Sequence, residues 1–429
     1  MKILITGDNG ECLPPPYGGI IKRCLLHAKI WKTKGAEVYI HIYRWHEKEE
    51  DLGAGARYFY DFLKTPTLVD KIWFGIKKFF TSPFLFIRLF YLQLKLSGEF
   101  NFSRFFYCAA RAVNLDQRIK DINPDIIITE TGGLQSLVAL EIAKKHKIPI
   151  ILENYAEIQY KEISERNISV NIADRDKEIW RYLVNGVDLV VSASEHCAEG
   201  PRKYIKNPAK TKIVYSGVNF DIFNGHITND KISARKKFAL PLDKFLVMAV
   251  GAIRFRKGHD QLIEALLKLP TEQINKITVV LCGMGPIDEL KQKVQEIGFP
   301  LEQLKVFQGL TEEDLAELYS GVDCFCFPSI TPRECMGMAM KEAMSIGLPI
   351  VAYDSGGIKE AIEHEVNGFL APSGDKKALA EAVTKIMNLN EDGKKMFREN
   401  NIIKAQKLFD IKNTASQLYE EILKIVEKI

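Results

Sequence analysis

Two glutamates, Glu334 and Glu342, stand eight residues apart in the run ECMGMAMKEAMSIG, whose other residues are mostly small or apolar. Carboxylates in such surroundings are rarely left without a partner. Pro332 disfavours helix at Thr331, and Met338–Ser345 is rich in helix formers, so the pattern predicts a helix starting near Gly337. Its free N–H groups would form an anion site suited to a phosphate. Glu334 then falls in the loop before the helix and Glu342 on its second turn. Eight residues of pure helix would rise about 12 Å, so the two carboxylates could grip opposite ends of one elongated ligand. Carboxylates accept well from vicinal hydroxyls, and a sugar–phosphate–ribose ligand suits this arrangement.

A second cluster lies in VGAIRFRKGHDQLIEAL, where Arg254, Arg256 and Lys257 share a loop that opens a helix. Cations there can neutralise a diphosphate, arginine bidentately and lysine as a point charge. A solvated basic turn accounts for the same stretch equally well. Near the start, Gly18 and Gly19 open a helix after a long proline-rich loop. Paired glycines allow a ligand to approach the backbone, although the spacing is not the dinucleotide fingerprint GxGxxG.

The elements that must position these residues alternate along the chain. Short apolar runs are expected as strands at 2–6, 37–43, 125–129, 148–152, 188–194, 245–251, 277–283, 304–309, 323–329 and 349–355, with helical patterns between most of them. That alternation predicts an α/β fold with doubly wound parallel sheets. At 429 residues the chain is too long for one ordinary core. The polar stretch 216–244 carries no clear strand and marks the expected boundary between two domains.

Composition excludes little beyond this. The chain is 46% hydrophobic and 27% charged with a net charge of +4, too weakly basic to indicate nucleic acid. Its eight cysteines show no paired spacing for zinc, and as free thiols they fit a reducing, cytoplasmic compartment. The N-terminal apolar run is too short for a signal peptide, and no run reaches the roughly 18 apolar residues of a spanning helix. Residues 71–106 stand apart, with 12 of the chain's aromatics and six basic residues against one acid. They fit either a pair of core helices with solvated lysines or a peripheral membrane surface, with aromatics at the headgroups and cations toward anionic lipid.

Taken in order, these motifs resemble the retaining, nucleotide-sugar-dependent glycosyltransferases of the GT-B fold, family 4, known as glycosyl transferases group 1. The resemblance runs through YGG (17–19), VDLVVSASE (187–195), KIVYSGVNFDIF (212–223), VGAIRFRKG (250–258), VVLCGMGP (279–286), GVDCFCFPS (321–329) and the E-x7-E block continuing to NGFLAP (334–372). It implies two Rossmann-like domains facing across a cleft: residues 1–217, joined by a helix crossing back at 408–429, on the acceptor side, and 218–407 on the donor side. It implies a UDP- or GDP-sugar as donor and a glycan or lipid-linked glycan as acceptor, with no cofactor and no metal. In that reading Glu334 meets the donor hexose and Glu342 the ribose. Main-chain groups around Met336, Gly337 and Met338 meet sugar and phosphate. Arg256 and Lys257 stabilise the leaving diphosphate, while Gly18 and Gly19 close the phosphate site. Residues around 307–311 are expected to read the base. Transfer would take place in the cytoplasm or at the inner face of the membrane.

Two departures from the family pattern stand out. Ala252 replaces an arginine that many relatives carry after VG, and Asn154 replaces a histidine. Asparagine can hydrogen-bond a sugar hydroxyl but cannot titrate. Glu130, at the end of DIIITE, is an acceptor-side candidate beside Asn154, and His259 is expected at a solvated helix start. The alternatives are a binding subunit without activity and a sugar-nucleotide epimerase of the same fold.

Overall fold

The computed structural model describes residues 1–7, 19–45, 56–62, 67–81, 83–97, 102–130, 133–155, 162–163, 169–170, 172–226, 231–253, 257–331 and 335–428. It divides into two compact units, one of Met1–Tyr215 with Thr414–Ile429 and the other of Ser216–Asn413.

In the first unit the strands are β1 (Lys2–Gly7), β2 (Glu37–Trp45), β3 (Ala56–Phe62), β4 (Ile126–Glu130), β5 (Ile150–Asn154), β6 (Glu162–Ile163), β7 (Ser169–Val170), β8 (Leu189–Ser192) and β9 (Thr211–Ile213). The helices are α1 (Gly19–Thr33), α2 (Leu68–Thr81), α3 (Pro83–Ser97), α4 (Phe102–Ile122), α5 (Leu134–His146), α6 (Ile172–Gly186) and α7 (Glu195–Tyr204). Seven strands form one sheet in the order β3-β2-β1-β4-β5-β8-β9, every pairing in it parallel; β6 and β7 make a separate antiparallel ladder.

The second unit holds α8 (Phe220–Gly225), α9 (Lys231–Lys237), β10 (Phe245–Val250), α10 (His259–Leu266), α11 (Thr271–Ile274), β11 (Ile277–Cys282), α12 (Ile287–Glu296) and β12 (Leu304–Phe307). There follow α13 (Glu312–Ser320), β13 (Cys324–Phe327), α14 (Met338–Ser345), β14 (Ile350–Asp354), α15 (Ile358–Ala361), β15 (Gly368–Pro372), α16 (Lys376–Met387) and α17 (Glu391–Phe409), while α18 (Ile411–Val426) belongs to the first unit from Thr414 onward. Its sheet is parallel throughout, in the order β12-β11-β10-β13-β14-β15. Both sheets thus show the strand order of a Rossmann-like domain.

The central strands form where they do because they are buried on both faces, which favours continuous runs of branched apolar residues. In β4 and β11 every residue is buried. Helix starts are set by side chains: Thr311 caps α13 by accepting from the Asp314 N–H at 3.0 Å, and Asp375 caps α16 by accepting from Ala378 at 2.9 Å. The last helix returns to the first unit. There the Trp31 indole donates to the carbonyl of Ala415 at 2.8 Å, and the Trp31 ring lies against that of Tyr419.

Two expectations about elements need revision. Residues 216–244 contain α8 and α9, two short helices that the polar composition hid. Strands β3, β9 and β15 carry no long apolar run and were not expected. The segment 71–106 forms α2, α3 and the start of α4, with both burial regimes present: Leu85, Leu89, Leu92 and Leu96 enter the core, while Trp73, Phe80 and Phe84 are exposed.

Candidate functional site

In a doubly wound sheet, ligands bind beyond the carboxyl ends of the strands where the strand order reverses. In the second unit that point lies between β10 and β13, which pair directly, with Val247 opposite Cys324 and Met248 opposite Phe325. The loop after β10 carries Lys257, and the loop after β13 leads through Met336 and Gly337 into α14. Topology therefore brings both sequence motifs to one place in this unit.

The two loops touch. Gly258 has φ +71, and a Cβ there would sit 1.9 Å from the Pro328 carbonyl oxygen, so only glycine lets the basic loop lie against the end of β13. Gly337 has φ +56 at the start of α14, and a Cβ would meet the Phe327 ring at 2.4 Å. Both glycines hold backbone close to the strand end where a ligand phosphate would need to approach. The half-buried Lys257 stem crosses Gly251, where a Cβ would lie 3.4 Å from the lysine Cδ. His259 is buried, not solvated as expected. Burial and then the neighbouring Lys257 charge push its pKa down to about 4, so at neutral pH it adds no charge beside that cation.

Met336 is buried and Met338 half-buried at the mouth of α14. Glu342 sits on the second turn and is only 3% exposed. The Tyr319 phenol donates to its Oε2 at 3.3 Å and to the Ala339 carbonyl at 3.1 Å. Burial and the Glu342 charge raise the Tyr319 pKa well above its ordinary value, and the same two causes push Cys282 up to about 12. Both groups therefore stay protonated beside Glu342 at neutral pH. Nearby, the Gln308 amide donates to the Gly283 and Gly285 carbonyls at 3.2 and 3.1 Å, tying the end of β12 to the loop after β11. Glu334 and Arg256 lie outside the described residues, as do Arg254 and Gly18.

In the first unit the corresponding switch point lies between β1 and β4. Gly19 is the first residue of α1, and Glu130 and Asn154 end β4 and β5. Neither Glu130 nor Asn154 reaches solvent. The Asn154 amide donates to the Cys197 carbonyl at 2.7 Å. Glu130 is one member of a buried cluster: the Arg23 guanidinium grips both Glu153 oxygens at 2.9 and 2.8 Å and reaches Glu130 Oε1 at 2.9 Å. The Cys24 thiol donates to the same Glu130 oxygen at 2.8 Å, and Arg23 stacks on the Tyr155 ring 4.0 Å from its centroid.

One cation thus serves two carboxylates. Burial, and the Glu130 charge against the pull of Arg23, raise the Glu153 pKa to about 7. Burial opposes the charge on Arg23, but Glu153 and Glu130 outweigh it and hold the guanidinium firmly protonated. Burial and the Arg23 charge hold His27 neutral. Arg23 and Glu153 were missed in the sequence; the only signal was a glutamate at the end of β4 and another one residue before the end of β5. Tyr319 was missed because its helix carries no motif.

Residues 230–404 match the family model described as Glycosyl transferases group 1. A D-inositol 3-phosphate glycosyltransferase of Xylanimonas cellulosilytica is 27% identical over 48% of this chain and 49% of its own. The chain spans about half the length of the curated relatives it matches first. Among solved structures, the sucrose-phosphate synthase of Thermosynechococcus elongatus superposes with a TM-score of 0.77 at 18% identity, covering 100% of both chains. A HepE protein of Anabaena in complex with UDP-glucose superposes with a TM-score of 0.68 at 20% identity, covering 99% of this chain and 100% of that one. Such similarity fixes the fold as GT-B, with two Rossmann-like domains. The part of the chain that matches the glycosyl transferases group 1 model is thus the switch-point unit that carries Lys257 and Glu342.

Proposed function

We propose that the protein is a retaining hexosyltransferase that moves a sugar from a UDP- or GDP-sugar to a hydroxyl of a glycan or lipid-linked glycan. The observation that carries this reading is the juxtaposition, in one unit, of the Lys257 loop and the α14 start at the β10/β13 switch point. Backbone N–H groups at Gly337 and Met338 would bind the diphosphate, and Glu342 would accept from the ribose hydroxyls. The UDP-glucose found in the Anabaena protein is consistent with such a donor. Gln308 and its neighbours would face the base.

In this reading, Glu334 holds the donor hexose and Gly18 and Gly19 close the phosphate site. Lys257 and Arg256 take the place of a divalent cation, stabilising charge as it develops on the departing phosphate oxygen. The acceptor oxygen attacks from the face the diphosphate leaves, and that phosphate takes the acceptor proton, so the sugar keeps its configuration without a side-chain nucleophile. On the acceptor side, Glu130 and Asn154 would act from beneath the surface, positioning the loops that follow β4 and β5. The lipid-linked form of the acceptor goes with peripheral contact at the inner membrane face through residues 71–106.

Incubation with a panel of UDP- and GDP-hexoses tests this, with nucleoside diphosphate release as the readout. One donor is expected to turn over, and Glu334→Ala to abolish it. Silence across the panel would leave the reading of a binding subunit without activity.

A further inference from the structure

Helices α2 and α3 carry apolar stripes on the outside of the first unit. Val69, Ile72, Trp73, Ile76 and Phe80 recur at helical spacing along α2, and Phe84, Ile87, Tyr91 and Leu94 along α3. Trp73 is 62% exposed, Phe80 76% and Phe84 87%. The opposite face of α3 is already committed: Leu85, Leu89, Leu92 and Leu96 pack in the core with Phe105, Cys108 and Ala112 of α4. Among the described residues, the second apolar face of this helix stays exposed.

The patch is large. The exposed parts of Trp73, Phe79, Phe80, Phe84, Phe90 and Tyr91 amount to roughly 500–900 Å² at about 150–250 Å² per aromatic side chain. The largest apolar patch on an ordinary monomer is roughly 300–600 Å². Charge then selects the occupant. The two helices carry Lys71, Lys77, Lys78, Arg88 and Lys95 against one acid, Asp70. Lys95 lies over the Tyr91 ring at 5.6 Å, while Arg88 bonds Glu141 and Tyr182. Protein–protein interface cores are depleted in lysine. Aromatic stripes bordered by lysine and arginine are what amphipathic helices bring to the headgroup region of an anionic bilayer. Among the described residues no helix is long and apolar enough to cross a membrane, so the hairpin would lie in the interface.

We propose that the α2–α3 hairpin is a docking surface for an anionic lipid bilayer, with Trp73, Phe80 and Phe84 entering the headgroup–acyl boundary and Lys77 and Lys95 facing lipid phosphates. The hairpin follows the carboxyl end of β3, the end of a parallel sheet where ligands bind. Docking there would bring the ligand-side loops of this sheet to the lipid surface. This deepens the lipid-linked acceptor in the transferase reading and rests on it for its purpose, though the docking can be measured without it.

The test is flotation of the full-length protein with phosphatidylcholine vesicles, with and without phosphatidylglycerol, alongside the triple variant W73S/F80S/F84S. Wild type is expected to float with the anionic vesicles, to bind neutral ones about fivefold more weakly for each cation engaged, and to be released by salt. The variant is expected to stay unfloated while keeping its far-ultraviolet circular dichroism and its donor hydrolysis. Wild type that does not float, or a variant that floats equally, overturns the proposal. So does self-association that the triple variant abolishes in protein that does not float, which would assign the stripe to a second copy. Wild type that floats but hydrolyses no donor upholds the docking and counts against the transferase reading alone.

Discussion

Gly258 lies against Pro328 so closely that a single added methyl group would reach within 1.9 Å of the proline carbonyl oxygen. The basic loop and the loop leading to α14 are thereby locked together at the strand ends. Gly258→Ala must push them apart and also adopt φ +71 with a side chain. It is expected to cost about 1–3 kcal/mol of stability and to weaken nucleoside diphosphate binding at least about tenfold. Thermal unfolding and equilibrium titration of the same preparation separate the two effects. Unchanged affinity would show that the loops bind nothing together.

Glu342 and Tyr319 form the second checkable pair. Removing the carboxylate in Glu342→Ala is expected to cost about 1.5–3 kcal/mol in nucleotide affinity, the range for hydrogen bonds to a charged group. Tyr319→Phe leaves the carboxylate in place and removes only the hydroxyl that reaches it at 3.3 Å and the Ala339 carbonyl at 3.1 Å, so affinity should change by less than about 1 kcal/mol. A larger loss in the phenylalanine variant than in the alanine variant would reverse the assigned roles.

The buried cluster of the first unit makes stability depend on pH. Glu153 has an ordinary value of 4.5 and is raised to about 7 in the fold, so the folded state holds a proton that the unfolded chain releases. Its contribution is complete below pH 4.5 and is lost as pH rises to about 7, on the order of 3 kcal/mol if the shift acts alone. The groups facing it are Arg23, Cys24 and Glu130, with His27 held neutral beyond Arg23. Glu130→Gln removes the like charge and should flatten the melting temperature between pH 5 and 7. An identical pH profile in wild type and variant would refute the cluster as its source.

The returning helix should matter to the first unit. Trp31→Phe loses the bond to the Ala415 carbonyl at 2.8 Å, costing about 1 kcal/mol, while Trp31→Ala also leaves a cavity and should cost about 3–5 kcal/mol. Denaturant unfolding checks both. Equal effects would mean that indole packing contributes nothing.

Much of this was legible in the sequence, for physical reasons. The core strands β1, β4, β10 and β11 are buried on both faces and so read as unbroken apolar runs. By contrast, in β3 Arg57 and Asp61 interrupt the run ARYFYDF, and β9 is only TKI, too short to stand out as an apolar run. The helix starting at Met338 was predictable because proline and glycine precede a run of helix formers. The Arg23 cluster was not, because Arg23 lies more than 100 residues from either glutamate and only the strand pairing of β4 with β5 brings Glu130 beside Glu153. His259 misled for a related reason: a polar residue at a helix start reads as solvated, yet the chain packs it into the core of the second unit.

The central claim is that the β10/β13 switch point, through Lys257 and Glu342, holds the diphosphate and ribose of a nucleotide sugar. Isothermal titration of the full-length protein with UDP and with GDP tests it most directly, in wild type and in Lys257→Ala. The account predicts one-to-one binding of one nucleotide by wild type, weakened at least about tenfold in the variant. Absence of binding by wild type, or equal binding by both proteins, would contradict it.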